Sequence, residues 1–289
     1  MKIGFLITAR LKSKRLPNKI LRKVEKEPLL SHMIKRIKRS KQVDTIIVCT
    51  SYLKADKKIK NICTKNKVNC YEGDPIDVLR RLFEAAKKFK LDYIVNITAD
   101  CPLVEPQYID QICLTYKKKK YDLIRAFDLP HGSFCYGIDV NALEKVVNIK
   151  DKIDTEVWEK YFTDTGYFKI HDLKIKNKLH IKPGLRMTLD YPEDLKFIKV
   201  IFKKLYRYKK FFNLTDIITL LKLYPGIIKI NEKCSQKFNK KYTSQSNIKI
   251  KSNFKKLNNK KYKRHETFSN YIKKNYYAKS NKKNNFIYI

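Results

Sequence analysis

The 289-residue sequence predicts an α/β fold, a three-layered and mostly parallel mixed sheet, on three observations. Short apolar runs of strand length recur through the first 126 residues. Segments with apolar residues at helical spacing follow them, the alternation that builds parallel sheets. The first run, Ile3 to Ala9, ends abruptly in a basic loop, Arg10 to Lys19. Ligands of open α/β sheets bind at the carboxyl ends of the strands, where that loop lies.

Ile3, Phe5, Leu6, Ile7 and Ala9 read as a buried central strand. Leu29, Leu30, Met33, Ile34 and Ile37 mark a helix within 28–41, and Ile46 to Cys49 a second strand. A helix over 55–65 and a strand over 68–71 lead to the turn Gly73-Asp74-Pro75. Asp77 caps the helix that carries Val78, Leu79, Leu82, Phe83 and Ala86. Tyr93 to Thr98 is the fourth strand, 106–118 a helix, and 122–126 the fifth strand. Beyond it the pattern predicts a strand over 136–140, a helix at 142–147 and a helix over 155–162 with the only tryptophan, Trp158. Alternation on both sides of Lys176-Asn177 predicts a small β-hairpin insertion over 167–181. Leu185 to Leu189 reads as a strand, followed by helices to about Tyr206 and over 215–223.

From residue 231 the composition changes, dividing the chain into a domain of 1–230 and a tail of 231–289. The tail holds 17 cations against the two acids Glu232 and Glu266, with few aliphatic residues, and is expected to be disordered. The formal net charge is +38, but only 11 of the 66 cations are arginine, amid abundant Asn, Ile and Tyr. The lysines scatter through most segments, which favours codon bias over a nucleic-acid surface. A nucleic-acid-binding module would instead use the charge and the aromatic tail, with affinity that falls steeply with salt. Seven cysteines show no metal-ligand spacing, and no run approaches the roughly 18 apolar residues of a membrane span. A reducing, cytoplasmic setting is the expectation.

The basic loop carries Arg10, Ser13, Lys14, Arg15 and Lys19, with Arg22 close behind. Arginine in so lysine-rich a chain points to bidentate contacts with phosphate. Asp100 follows the fourth strand directly, and Asp190 follows Arg186-Met187-Thr188-Leu189. Two carboxylates at strand ends facing a cationic loop suit a divalent metal bound with a polyphosphate. Each aspartate alone would also serve as an ordinary turn or helix cap.

The run Ala9-Arg10-Leu11-Lys12-Ser13-Lys14-Arg15-Leu16-Pro17-Asn18-Lys19 resembles the nucleotide-binding loop of the sugar cytidylyltransferases. Ile97 to Leu103 resembles the same family's metal-aspartate segment and Leu189 to Leu195 its second one, and Glu72 to Leu79 matches as well, all in the family's order. These enzymes include the acylneuraminate and 3-deoxy-manno-octulosonate cytidylyltransferases, and the order and spacing over 1–230 come closest to the spore coat polysaccharide biosynthesis protein F group. The resemblance implies a Rossmann-like nucleotide-sugar transferase fold and transfer of a cytidylyl group from CTP to a sugar or sugar acid. It also implies Mg²⁺ as cofactor and a possible homodimer through the 167–181 hairpin. By the resemblance Arg10, Ser13, Arg15 and Lys19, joined by Lys14, would hold the triphosphate, and Asp100 and Asp190 the Mg²⁺. Thr98 and Asp77 would line the nucleoside pocket. Lys12, Asn18 and Ala99 stand where the family usually or commonly has glycine. His131 and Arg186 are candidates for an acidic acceptor, although a structural role is the commoner one for each. A glycosyltransferase would share the layout, but Asp-x-Asp is replaced by Asp100-Cys101-Pro102.

Overall fold

The computed structural model describes residues 1–245, 247–255, 265–267 and 270–271. Among the described residues nine strands form: β1 Ile3–Thr8, β2 Lys23–Val24, β3 Glu27–Pro28, β4 Thr45–Ser51, β5 Asn69–Gly73, β6 Tyr93–Thr98, β7 Leu123–Arg125, β8 Tyr136–Asp139 and β9 Ile170–Asp172. Seven of them make one sheet in the order β5-β4-β1-β6-β8-β7-β9, and β2 and β3 pair as a separate small hairpin. β1 is central, parallel to β4 on one side and to β6 on the other. β8 runs antiparallel to both β6 and β7, so the sheet is mixed.

Successive strand residues face opposite sides of a sheet. Ile3, Phe5, Ile7, Val48 and Val95 accordingly enter one core, and Leu6, Ile47, Cys49 and Ile94 the other. Helices α1 Leu29–Ile37, α2 Lys57–Lys65 and α4 Pro106–Lys118 cover the first face. Helices α3 Val78–Lys88, α5 Val140–Ile149 and α6 Glu159–Thr163 cover the second. Two later helices, α7 Pro192–Leu205 and α8 Leu214–Leu223, extend the first core. These are the three layers expected. Among the described residues no helix is long and apolar enough to cross a membrane.

Three elements differ from expectation, the first being α6, which begins at Glu159 and leaves Trp158 at its N-cap rather than within a helix over 155–162. Residues 167–181 do not fold as a hairpin: β9 joins the sheet parallel to β7, and Lys178–His180 is a 3₁₀ turn. Alternation identified a strand there without identifying its neighbour. Leu185 to Leu189 is not a ladder strand either; its one bridge pairs Arg186 with His131. Asp190 therefore follows an irregular extended segment.

Beyond residue 230 the described residues depart from the disordered tail expected there. Helix α9 spans Glu232–Gln245. Ile248, Ile250 and Phe254 pack against the second core, and backbone bonds join Asp151 to Lys249 and Lys251 to Ile149, at 2.9 and 3.0 Å. Arg125 Nη1 donates to the carbonyl of Glu266 at 2.7 Å. A few apolar anchors suffice to dock a chain whose average composition is polar. Residues 246, 256–264, 268–269 and 272–289, also within that expectation, lie outside the described residues. Truncation after Ile230 is expected to lower the thermal midpoint by roughly 5–10 °C, measured by scanning calorimetry, because it uncovers these contacts.

Candidate functional site

The basic loop is pinned by its apolar residues, which decides where its cations go. Leu11, Leu16 and Ile20 are buried, while Lys12 and Lys14 between them face solvent. The Leu11 amide donates to Asp56 Oδ1 at 2.7 Å, and the Leu16 amide to Ser13 Oγ at 3.4 Å. Asn18 turns the chain with φ 54° and ψ 31°, a left-handed conformation. Glycine adopts it freely, and asparagine tolerates it better than most residues. The turn carries Lys19 back under the sheet edge.

Asp100 stands just past the end of β6, and the Ala99 amide bonds the Thr8 carbonyl of β1 at 2.9 Å. Thr98 donates its hydroxyl to Asp100 Oδ1. The segment before Asp190 is tied to the same place: the Leu189 amide donates to the Asp100 carbonyl at 2.8 Å, and Thr188 Oγ1 at 3.2 Å. The His131 amide bonds the Leu185 carbonyl at 2.9 Å and the Met187 amide returns to the His131 carbonyl at 2.7 Å. Gly132 permits this approach. Its φ is +101°, and a Cβ there would lie 2.7 Å from the Met187 carbonyl carbon and the Thr188 nitrogen.

The two carboxylates and two loop cations then meet. Lys19 Nζ lies 2.5 Å from Asp100 Oδ2 and 3.0 Å from Asp190 Oδ1. Arg15 Nη2 reaches Asp190 Oδ1 at 2.8 Å, and its Nη1 donates to Tyr191 Oη at 3.1 Å. From behind, Arg186 Nη2 bonds Asp190 Oδ2 at 2.9 Å and holds Asp194 through Nε and Nη2, both at 2.9 Å. Asp194 also accepts from the amides of Asp190 and Tyr191, and Asn231 Nδ2 donates to it at 2.9 Å. Burial would raise the Asp190 carboxyl, but Lys19, Arg186 and Arg15 outweigh it and hold the group well below the usual carboxylate range. Burial likewise opposes the Lys19 ammonium, and Asp100 and Asp190 outweigh it, pushing that group up. Burial, then the Arg186 charge, push the His131 imidazole down to about 4.

The other residues singled out from sequence go elsewhere or stay apart. Arg10 donates to the Pro75 carbonyl and lies 3.6 Å from Glu156. Asp77 caps α3 by accepting from the Arg80 amide at 3.1 Å, and it also accepts from Lys150 and Thr155. It is buried and fully engaged in that structural network. Ser13 serves the loop backbone, and Lys14 is exposed. Asp194, Tyr191 and Asn231 were not singled out. An Asp four residues after Asp190, at the start of a helix that begins with Pro192, was the signal available for Asp194.

One ammonium touches an oxygen of each aspartate, so both carboxylates are close enough to share a single cation. Their hard oxygen donors fit Mg²⁺, which is held by one or two carboxylates and completes its shell with water and phosphate oxygens. Among the described residues no cluster of three or more His, Cys, Asp or Glu offers an alternative.

The family model described as Cytidylyltransferase matches residues 5–266. The chain belongs to the cytidylyltransferase family. It is 33% identical to an uncharacterized protein of Methanocaldococcus jannaschii, covering 82% of this chain and 97% of the relative. It is 25% identical to the spore coat polysaccharide biosynthesis protein SpsF of Bacillus subtilis, covering 77% and 95%. The solved structure of a cytidylyltransferase from Leptospira borgpetersenii superposes with a TM-score of 0.72 at 28% identity, covering 79% of this chain and 97% of that one.

In this cytidylyltransferase-family site the depressed Asp190 carboxyl links stability to pH. Its stabilising contribution is fully present above the unfolded value near 3.9 and is lost as pH falls towards the lower folded value. Asp190→Asn is expected to cost about 3–5 kcal/mol at neutral pH, since it leaves buried cations unpaired. Denaturant titrations should show the variant losing less stability than wild type between neutral pH and about pH 3.

Proposed function

We propose that this protein transfers the cytidylyl group of CTP to a hydroxyl of a sugar or sugar acid, with release of pyrophosphate and with Mg²⁺ as cofactor. The observation that carries the proposal is the convergence of Arg15 and Lys19 on Asp100 and Asp190 at the carboxyl edge of β1 and β6. Membership of the cytidylyltransferase family supports the nucleotide. Similarity to a spore coat polysaccharide biosynthesis protein supports a sugar-type acceptor and a role in building a surface polysaccharide.

In the proposed reaction the acceptor hydroxyl attacks the α-phosphorus and gives its proton to solvent water. The bond from that phosphorus to the bridging oxygen breaks, and pyrophosphate departs with the electron pair. Negative charge grows on the leaving oxygens, so rate acceleration comes from positioning and from fixed positive charge. Arg15 and Lys19 would bind the β- and γ-phosphates; both side chains are partly exposed. Asp100 and Asp190 would hold Mg²⁺, which when bound neutralises phosphate charge and orients the triphosphate. Thr98 would fix the Asp100 carboxylate, to whose Oδ1 it donates. Arg186 and Asp194 would keep Asp190 aimed forward from the protein side. No side-chain nucleophile is required.

The test is a nucleotide-by-sugar panel read by pyrophosphate release. CTP with a sugar or sugar-acid acceptor should turn over, and Asp100→Ala should reduce turnover by about 10²-fold or more with an unchanged circular dichroism spectrum. Full turnover in that variant would remove Asp100 from the mechanism. Transfer from an intact nucleotide-sugar, without pyrophosphate, would replace the proposal by a glycosyltransferase.

A further inference from the structure

Lys19 occupies the position that two carboxylates would offer a cation. Its ammonium lies 2.5 Å from Asp100 Oδ2 and 3.0 Å from Asp190 Oδ1, and its side chain is only 13% exposed. The two carboxylates are balanced already: Lys19 and Arg15 face them from the loop, and Arg186 with its partner Asp194 adds no net charge. A divalent ion approaching this cluster alone would meet an ammonium between the very oxygens it needs. The cations are not equally committed. Arg186 is 2% exposed and joined to Asp194 by two hydrogen bonds, so it cannot leave without uncovering a buried carboxylate. Lys19 is a compact charge on a flexible four-carbon stem, held by ion pairs alone at its tip. Triphosphate oxygens offer that tip an equivalent set of anionic partners.

We infer that Lys19 stands in for the metal in the nucleotide-free protein, so that a divalent cation enters the Asp100–Asp190 pair only when a triphosphate draws the ammonium away. The inference rests on the cytidylyl-transfer reading for the identity of the triphosphate, and it deepens that reading by making metal and nucleotide binding mutually dependent. By linkage, each must then raise the affinity of the other by the same factor. Lys19 acts here as a positioning residue: it keeps the acidic pair together and neutral until both ligands arrive.

The experiment titrates free Mn²⁺ into the full chain without nucleotide, followed by electron paramagnetic resonance. Wild type should bind Mn²⁺ no more tightly than about 1 mM. Lys19→Met removes the charge and keeps most of the stem, and it should bind one Mn²⁺ about tenfold tighter or more. Adding Asp100→Asn to Lys19→Met should abolish the gain. Mn²⁺ should also raise the thermal midpoint of Lys19→Met, in which Asp100 has lost its cation while Asp190 keeps Arg15 and Arg186, and leave that of wild type nearly unchanged. Equal Mn²⁺ affinities for wild type and Lys19→Met would overturn the inference. So would submillimolar binding by wild type alone, a measurement that holds even if the variant does not fold. Failure of wild type to turn over CTP would instead sink the cytidylyl-transfer reading, and the Mn²⁺ comparison would stand apart from it.

Discussion

One carboxylate ties the site to the fold. Asp190 receives Lys19 and Arg15 from the N-terminal loop and Arg186 from its own segment, all at hydrogen-bond distance. These bonds are charge-assisted and enclosed, the setting in which such bonds are strongest and in which losing one partner is most damaging. They join parts of the chain about 175 residues apart. The positions of Lys19 and Asp100 follow from β1 and β6 being parallel neighbours in the centre of the sheet. The position of Asp190 follows from the backbone bonds that Leu185, Met187 and Leu189 make with His131 and Asp100. Sheet pairing thus supplies the frame, and the ion pairs close it.

Much of this was legible in the sequence, for identifiable reasons. Buried parallel strands are continuous apolar runs, so β1, β4 and β6 stand out against a lysine-rich background. A strand that ends in charge marks a ligand-facing edge, which drew attention to Arg15, Lys19 and Asp100. Pairing partners were not legible in the same way. Periodicity says that a residue faces inward but not against what, hence the hairpin expected at 167–181 and the strand expected at 185–189. Arg186 was a candidate for an acidic acceptor with a structural role the commoner expectation, and in the fold Asp190 and Asp194 hold it. The contribution of Asn231 lay within a segment judged by its average composition, and a single buried amide does not move an average.

The same distinction explains the chain's charge. A net +38 suggests a surface that attracts polyanions, yet the candidate site is locally balanced, with Lys19, Arg15 and Arg186 facing Asp100, Asp190 and Asp194. Among the described residues many of the surplus lysines, such as Lys12 and Lys14, are exposed and free to vary at small cost in stability. Its physical effect is long-range: positive potential raises the encounter rate with small anions and is screened by salt beyond about 10 Å. Within the candidate site the cations are few, and their positions are set by ion pairs to Asp100, Asp190 and Asp194.

The three positions that depart from glycine sharpen this point. At Asn18 the left-handed turn is preserved by the residue that best substitutes for glycine there. Ala99 is buried with its amide committed to the Thr8 carbonyl, so a methyl group is accommodated within the strand edge. Lys12 has no positive φ and turns its side chain to solvent, so the loop bends there without any conformation reserved for glycine. A glycine-rich loop would offer phosphate its backbone N–H groups at close range. In this loop the Leu11 amide is already spent on Asp56 and the Leu16 amide on Ser13. Those two amides are therefore not free donors, and the loop cations nearest the carboxylates are the side chains of Arg15 and Lys19, which Asp190 holds in position.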